Sequence, residues 1–183
     1  MASQTSVDRL YEESSSVILA LGRNEPSLSV AAGDNFRKAL ILAAASYFEH
    51  RVSKCVLDFV FEKANGNGLV VGFVKNKSIS RQYHTWFQWG DTNANQFFGL
   101  FGIPFKQMMI ERIKTSEDLR ISIRAFLEVG NERNKLIHQD FASFPLEKTL
   151  EEIYALYQQS LLFVDGLEKY LRECEPLPTI QQI

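Results

Sequence analysis

Apolar positions recur at helical spacing along most of the chain. Over residues 6–21, Leu10, Tyr11, Val17, Ile18 and Leu21 form a stripe that closes at Gly22, with Pro26 soon after, and this predicts a first helix. Residues 34–64 contain neither Gly nor Pro. Asp34 offers an N-cap and the turn-like NGNG that follows Ala64 offers a stop, so the longest helix is expected there. Its apolar residues, among them Phe36, Leu40, Ala44, Tyr47, Phe48, Val52, Cys55, Val56, Phe59 and Val60, cover more than half the circumference. Such a helix needs neighbours on several faces, either inside one large bundle or with a second subunit among them.

The pattern breaks over residues 65–89, where glycines, a short apolar run and the string KNKSISRQYHTWFQW predict an irregular excursion with one or two short helices. Two more short helices are expected at 93–101 and 104–114, broken at FGIP, with Pro104 suited to a first helical position. Thr115 or Ser116 can cap the next helix, whose first turn holds Glu117 and Asp118 and whose buried side is marked by Leu119, Ile123, Phe126, Leu127 and Gly130. After His138, QDFASFPLEKT ends it. A last helix begins near Thr149, which stands to Glu152 as a capping box, and carries Leu150, Ile153, Tyr157, Leu161, Val164, Leu167 and Leu171 at helical spacing. No strand pattern is strong enough to build a sheet. The expected fold is an all-α bundle, one domain over 1–175 with a tail at 176–183.

Composition narrows the function classes. With 183 residues and 45% apolar content the chain can bury one good core, and a net charge of -2 argues against non-specific coating of nucleic acid. The two cysteines, Cys55 and Cys174, form no metal-type pair, and the three histidines are scattered, so no metal or cofactor is expected. No apolar run is long enough for a membrane span, and the start lacks an export signal; a soluble protein of the cytoplasm is expected. One local charge feature stands out. Between Lys63 and Gly90 there is no acidic residue, while Lys75, Lys77 and Arg81 precede Tyr83, His84, Trp86, Phe87 and Trp89. Basic groups beside rings can grip an RNA backbone and its bases, or the rings can be core and the charges a solvated face.

The segment RNKLIH, from Arg133 to His138, is the one arrangement with the look of catalysis. Residues five apart on a helix are rotated by about 140° and separated by about 7.5 Å, so Arg133 and His138 do not lie side by side. Asn134 and His138 share a face, and Arg133 is long enough to reach a ligand that His138 also touches. An imidazole can move protons near neutral pH, and a guanidinium can hold a phosphate as negative charge grows on it. Without a metal, that pair suits cleavage of RNA. Acid-base chemistry wants two proton-transfer groups, which two motifs facing each other in a symmetric dimer would supply.

In context, RNKLIH ends a helix, a short break containing DF follows, and LEKTLEEIYALYQQSLLFVDGLEKYL forms a capped final helix. This resembles the HEPN superfamily, whose motif is Arg, then four to six residues beginning with a polar one, then His. The segments SYFEHRVSKCVLDF and NQFFGLFG, in the expected order, are similar to its RiboL-PSP branch, and the likeness extends over about residues 36–171. The resemblance implies an HEPN-like helical bundle with two long antiparallel helices plus shorter ones, dimerising with the motifs across a cleft. It implies a metal-independent endoribonuclease leaving a 2′,3′-cyclic phosphate and a 5′-hydroxyl, in a toxin or anti-phage system, with a possible antitoxin or regulatory partner. Arg133 and His138 would be catalytic and Asn134 supporting. Glu49 would either orient Arg133 or pair at the surface with Arg51 or Lys54. Lys75, Lys77, Arg81 and His84 are candidates for RNA contact. Toxins of the superfamily silenced by nucleotidyltransferases carry a Tyr two residues after the His; here that residue is Asp140. A catalytically silent HEPN module that binds RNA or a protein is the other reading.

Overall fold

Thr5 starts the first helix with a reciprocal cap: its hydroxyl accepts from the Asp8 N–H while the Asp8 carboxylate takes the Thr5 N–H at 2.8 Å. The structure, a computed structural model, describes residues 4–174; the tail expected at 176–183 lies outside them. Helix α1, Ser6–Asn24, runs through Gly22 instead of stopping there. Glu25 is the whole connection, and α2, Pro26–Lys63, begins at once. Proline has no N–H to lose and a preset φ, so it opens a helix without cost. Asp34 is therefore inside α2, not its cap, and its carboxylate pairs with Arg37 and Lys38 one turn on. Asn65 and Gly66, with φ of 48° and 70°, supply the left-handed turn that ends α2.

The expected excursion follows. Helix α3, Gly68–Val74, capped by Asn67, passes into a π-helical turn at Lys75–Ile79, and α4, Tyr83–Trp86, is a single turn. Helices α5, Asn95–Gly99, and α6, Ile103–Thr115, match the two short helices, with Pro104 in the first turn of α6. Helix α7, Glu117–His138, is capped by Ser116, and α8, Leu150–Glu173, by the Thr149–Glu152 box. No described residue is in a strand.

Cross-links give the directions of the long helices. Ser122 of α7 accepts the Phe163 N–H at 2.8 Å and Glu128 pairs with Lys148, so α7 and α8 are antiparallel. Arg51–Asp165 and Arg172–Glu62 pair α2 and α8 in the same direction. Helix α2 packs on α1, α7 and α8. Neighbours within one chain thus account for its many-sided apolar surface. Phe126 is the hub of the core, with Phe48 at 5.5 Å, Phe87 at 4.9 Å and Phe163 at 5.2 Å between ring centroids. All four rings are almost wholly buried, each contributing about 2 kcal/mol through removal from water. Phe126 also fixes the depth of α7, and the RNKLIH segment lies two turns beyond it.

Candidate active site

Along α7, Phe126, Gly130, Asn134 and His138 succeed one another at intervals of four, a stripe that starts in the core and ends at the exposed last residue of the helix. Arg133 is half-buried beside this stripe and donates from Nη1 to Asn134 Oδ1 at 3.0 Å. That bond orients the guanidinium and leaves the Asn134 amide nitrogen free to donate.

Arg133 and Asn134 line a recess whose other walls come from α2 and from the segment around α4. Glu49 and Phe48 face it from α2, Tyr83 and His84 from α4, and Trp89 with Gly130 closes one side. The free volume at its centre is about 20 Å³, room for one water-sized group. Glu49, exposed at its rim, has no ion pair among the described residues. Arg51 and Lys54, its suggested surface partners, are instead paired with Asp165 and Asp58. Tyr83 is 8% exposed, and burial holds its hydroxyl well above the usual tyrosine range. The Glu49 charge pushes it the same way and the Arg133 charge opposes, so both charges are felt at that oxygen.

The segment carrying Tyr83 and His84 is held on α7 by a close fit. A Cβ on Gly130 would lie 2.0 Å from Trp89 Cε3, so the indole rests directly on the helix where the side chain is missing. Trp89 Nε1 then donates to the His84 carbonyl at 2.9 Å, and Gln96 donates to the Thr85 carbonyl at 2.6 Å. Of the rings suggested as stacking platforms, Tyr83, Trp86 and Phe87 are core residues, with Trp86 donating to the Ser78 carbonyl; they are closed to bases. Lys75 and Lys77, in the π-helical turn, and Arg81 are exposed, outside the recess and without ion pairs among the described residues.

Beyond His138 the chain turns out of the helix through an extended Gln139. Asp140 spends its carboxylate locally, accepting from the Ala142 N–H at 3.2 Å and the Ser143 hydroxyl at 2.8 Å. Lys38 reaches this loop from α2. Its side chain is buried, donates to the carbonyls of Phe141 at 2.8 Å and Ala142 at 3.3 Å, and lies 5.3 Å from the Phe141 ring centroid. Nothing in the sequence marks this lysine, which reads as one of many solvent-facing charges on a long helix. Tyr83 and Gly130 were visible only as an aromatic and as a buried-face position.

The structure thus brings Glu49, His84, Arg133 and Asn134 together, places His138 one turn further along α7, and leaves Lys75, Lys77 and Arg81 apart. Among the described residues no group of three or more His, Cys, Asp or Glu is placed to hold a metal ion, and no helix is long and apolar enough to cross a membrane. No curated protein and no solved structure matches the chain. The family model described as RiboL-PSP-HEPN matches residues 8–173, which takes in every described helix except the first two residues of α1, and the chain belongs to that family.

Proposed function

We propose that this HEPN module is a metal-independent endoribonuclease. The observation that carries the reading is the grouping of Arg133 and Asn134 with Glu49 and His84 in one recess, one helical turn from His138. Arg133 would hold the scissile phosphate. The ribose 2′-oxygen attacks phosphorus as its proton passes to a base, and the P–O5′ bond breaks as the leaving oxygen takes a proton from an acid. The products are a 2′,3′-cyclic phosphate and a 5′-hydroxyl, with His138 as one of the proton-transfer groups.

A composite site in a homodimer is part of this reading. His138 stands outside the recess on the surface, flanked by Ile137, 46% exposed, and Phe141, 44% exposed. Apolar side chains beside an exposed histidine suit burial against a second copy, which would bring the partner's motif to the same phosphate. A toxin or anti-phage effector restrained by a regulatory protein fits such an activity. The Asp140 carboxylate, engaged in its own loop, replaces the tyrosine that nucleotidyl transfer would need.

Purified protein should cleave RNA in EDTA, and His138→Ala and Arg133→Ala should each abolish cleavage while the helical signal and Tm stay unchanged. Intact RNA at high protein concentration, with no partner present, sinks the enzyme reading. Light scattering showing only a 20.9 kDa particle at micromolar concentration sinks the dimer.

The silent scaffold is favoured by a different observation: Leu69 and Phe73 of α3, with Leu100 and Ile103, are well exposed, as a protein-binding surface would be. The EDTA cleavage experiment separates the two.

A further inference from the structure

Tyr83 is nine-tenths buried, yet its hydroxyl has no hydrogen-bond partner among the described residues. Its ring is fully used: it packs against Trp86 at 5.8 Å, Phe87 at 5.7 Å and Trp89 at 5.6 Å between centroids. A phenylalanine would make the same contacts. The phenolic oxygen therefore adds nothing to packing; it has no protein partner and, unlike Ser14 Oγ, is not sealed from solvent but opens on the recess. It lines the recess that Arg133, Asn134 and Glu49 also line.

The hydrogen-bond inventory of that recess is lopsided. Arg133 uses Nη1 on Asn134 Oδ1, which leaves the rest of its guanidinium, the Asn134 amide nitrogen and the Tyr83 hydroxyl as donors without acceptors. The space between them admits one water-sized group. Glu49 is the one carboxylate on the wall, and it stands at the exposed rim. A phosphate oxygen, an acceptor of about the size of a water, matches donors grouped around such a space.

We propose that Tyr83 is a further substrate-contacting residue, whose hydroxyl donates to the nonbridging oxygen of the phosphate that Arg133 holds. This rests on reading the recess as the phosphodiester site. A donor that meets a nonbridging oxygen binds the anion at rest and holds it more tightly as charge develops on it. The buried phenol keeps its proton through the working pH range, so it acts as a donor and exchanges no proton with substrate. Glu49 opposes the anion and should weaken its binding at rest.

The experiment uses the full-length protein with Tyr83→Phe, read in two ways. Orthophosphate binding is followed by 31P NMR, and cleavage of a short RNA is followed over substrate concentration and pH. Tyr83→Phe should weaken orthophosphate binding and lower kcat/KM for RNA, each by about 10- to 100-fold, with the pH profile unchanged in shape. Glu49→Gln, at an exposed position where folding is not at stake, should tighten orthophosphate. Unchanged phosphate affinity in Tyr83→Phe, no phosphate binding by the wild-type protein at millimolar concentration, or weaker binding in Glu49→Gln overturns the proposal. A wild-type protein that binds phosphate through Tyr83 but cuts no RNA leaves the contact standing and overturns the ribonuclease reading instead.

Discussion

Trp89 and Gly130, 41 positions apart, share one volume: the indole fills the space that any side chain at position 130 would occupy, with a Cβ there only 2.0 Å from Cε3 and 2.1 Å from Cζ3. Because Trp89 also holds the His84 carbonyl, this contact sets how the α4 segment closes over the recess. Gly130→Ala places a better helix former in α7, worth about 1 kcal/mol on propensity alone, but must push a packed indole aside, at a cost of about 1–3 kcal/mol. The ring is held on its other side by Tyr83, at 5.6 Å, and Phe87, at 5.0 Å, so the clash should win. Expected outcomes are a lower Tm, a changed tryptophan environment and impaired RNA cleavage. Gly22→Ala is the control: its Cβ would meet only Ser29 Oγ at 3.5 Å, and it should stabilise the protein slightly.

Local chemistry made some of this legible in advance. Caps act within three residues, so Ser116, Thr149 and Glu152 disclosed where α7 and α8 begin. The same logic misread Asp34, because Pro26 allows α2 to restart after a one-residue hinge and because Arg37 and Lys38 offer the Asp34 carboxylate an alternative. At the site, Arg133, Asn134 and His138 lie on one helix and were visible together. The meeting of Arg133 and Asn134 with Tyr83 and His84 depends on the Trp89–Gly130 fit, and with Glu49 on the packing of α2 against α7; both join distant segments by shape and leave no periodic trace. The aromatic run from Tyr83 to Trp89 looked equally suited to stacking on bases or to filling a core, since composition alone carries no burial.

Asp8 predicts how the N-terminal helix responds to acid. Although burial alone would raise it, hydrogen bonds from Thr5, Tyr154 and Gln158 outweigh burial and hold its carboxyl below the usual carboxylate range. A lowered folded pKa means the contribution is complete above the unfolded value of about 3.9 and is lost as pH falls through the lower folded value. Since the group is largely solvated, it contributes below about 1 kcal/mol. Docking of α1 on α8 should therefore loosen only in strongly acid solution. Asp8→Asn should flatten that part of the stability profile, measured by urea unfolding between pH 2 and 5, and should lower stability at neutral pH through loss of the cap.

Lys75, Lys77 and Arg81 lie outside the recess and carry no ion pair among the described residues, so they are free to neutralise phosphates along a bound strand. If they do, reversing all three charges should weaken RNA binding most at low salt and reduce the slope of log affinity against log salt by about 2. Fluorescence anisotropy across a salt series reads this directly. Identical affinity and slope in the variant would leave the three charges as an ordinary solvated face.

Lys38 predicts that the loop after the motif matters to the motif. A lysine only 2% exposed is expensive unless its charge is met, and here Asp34 Oδ2 at 3.7 Å and the carbonyls of Phe141 and Ala142 meet it. Those carbonyls follow His138 by three and four residues, so the ammonium ties the exit of α7 to α2. Lys38→Met keeps the buried stem and removes the tether, at a cost of about 1–3 kcal/mol. Amide exchange should quicken over residues 139–146, with little change in α8 or in the aromatic core. Cleavage should fall through the placement of His138 while phosphate affinity at Arg133 and Tyr83 holds. Lys38→Arg, which keeps the charge but not the compact head, should recover part of the exchange protection. If the loop exchanges equally fast in wild-type protein and Lys38→Met, the tether is not what orders it.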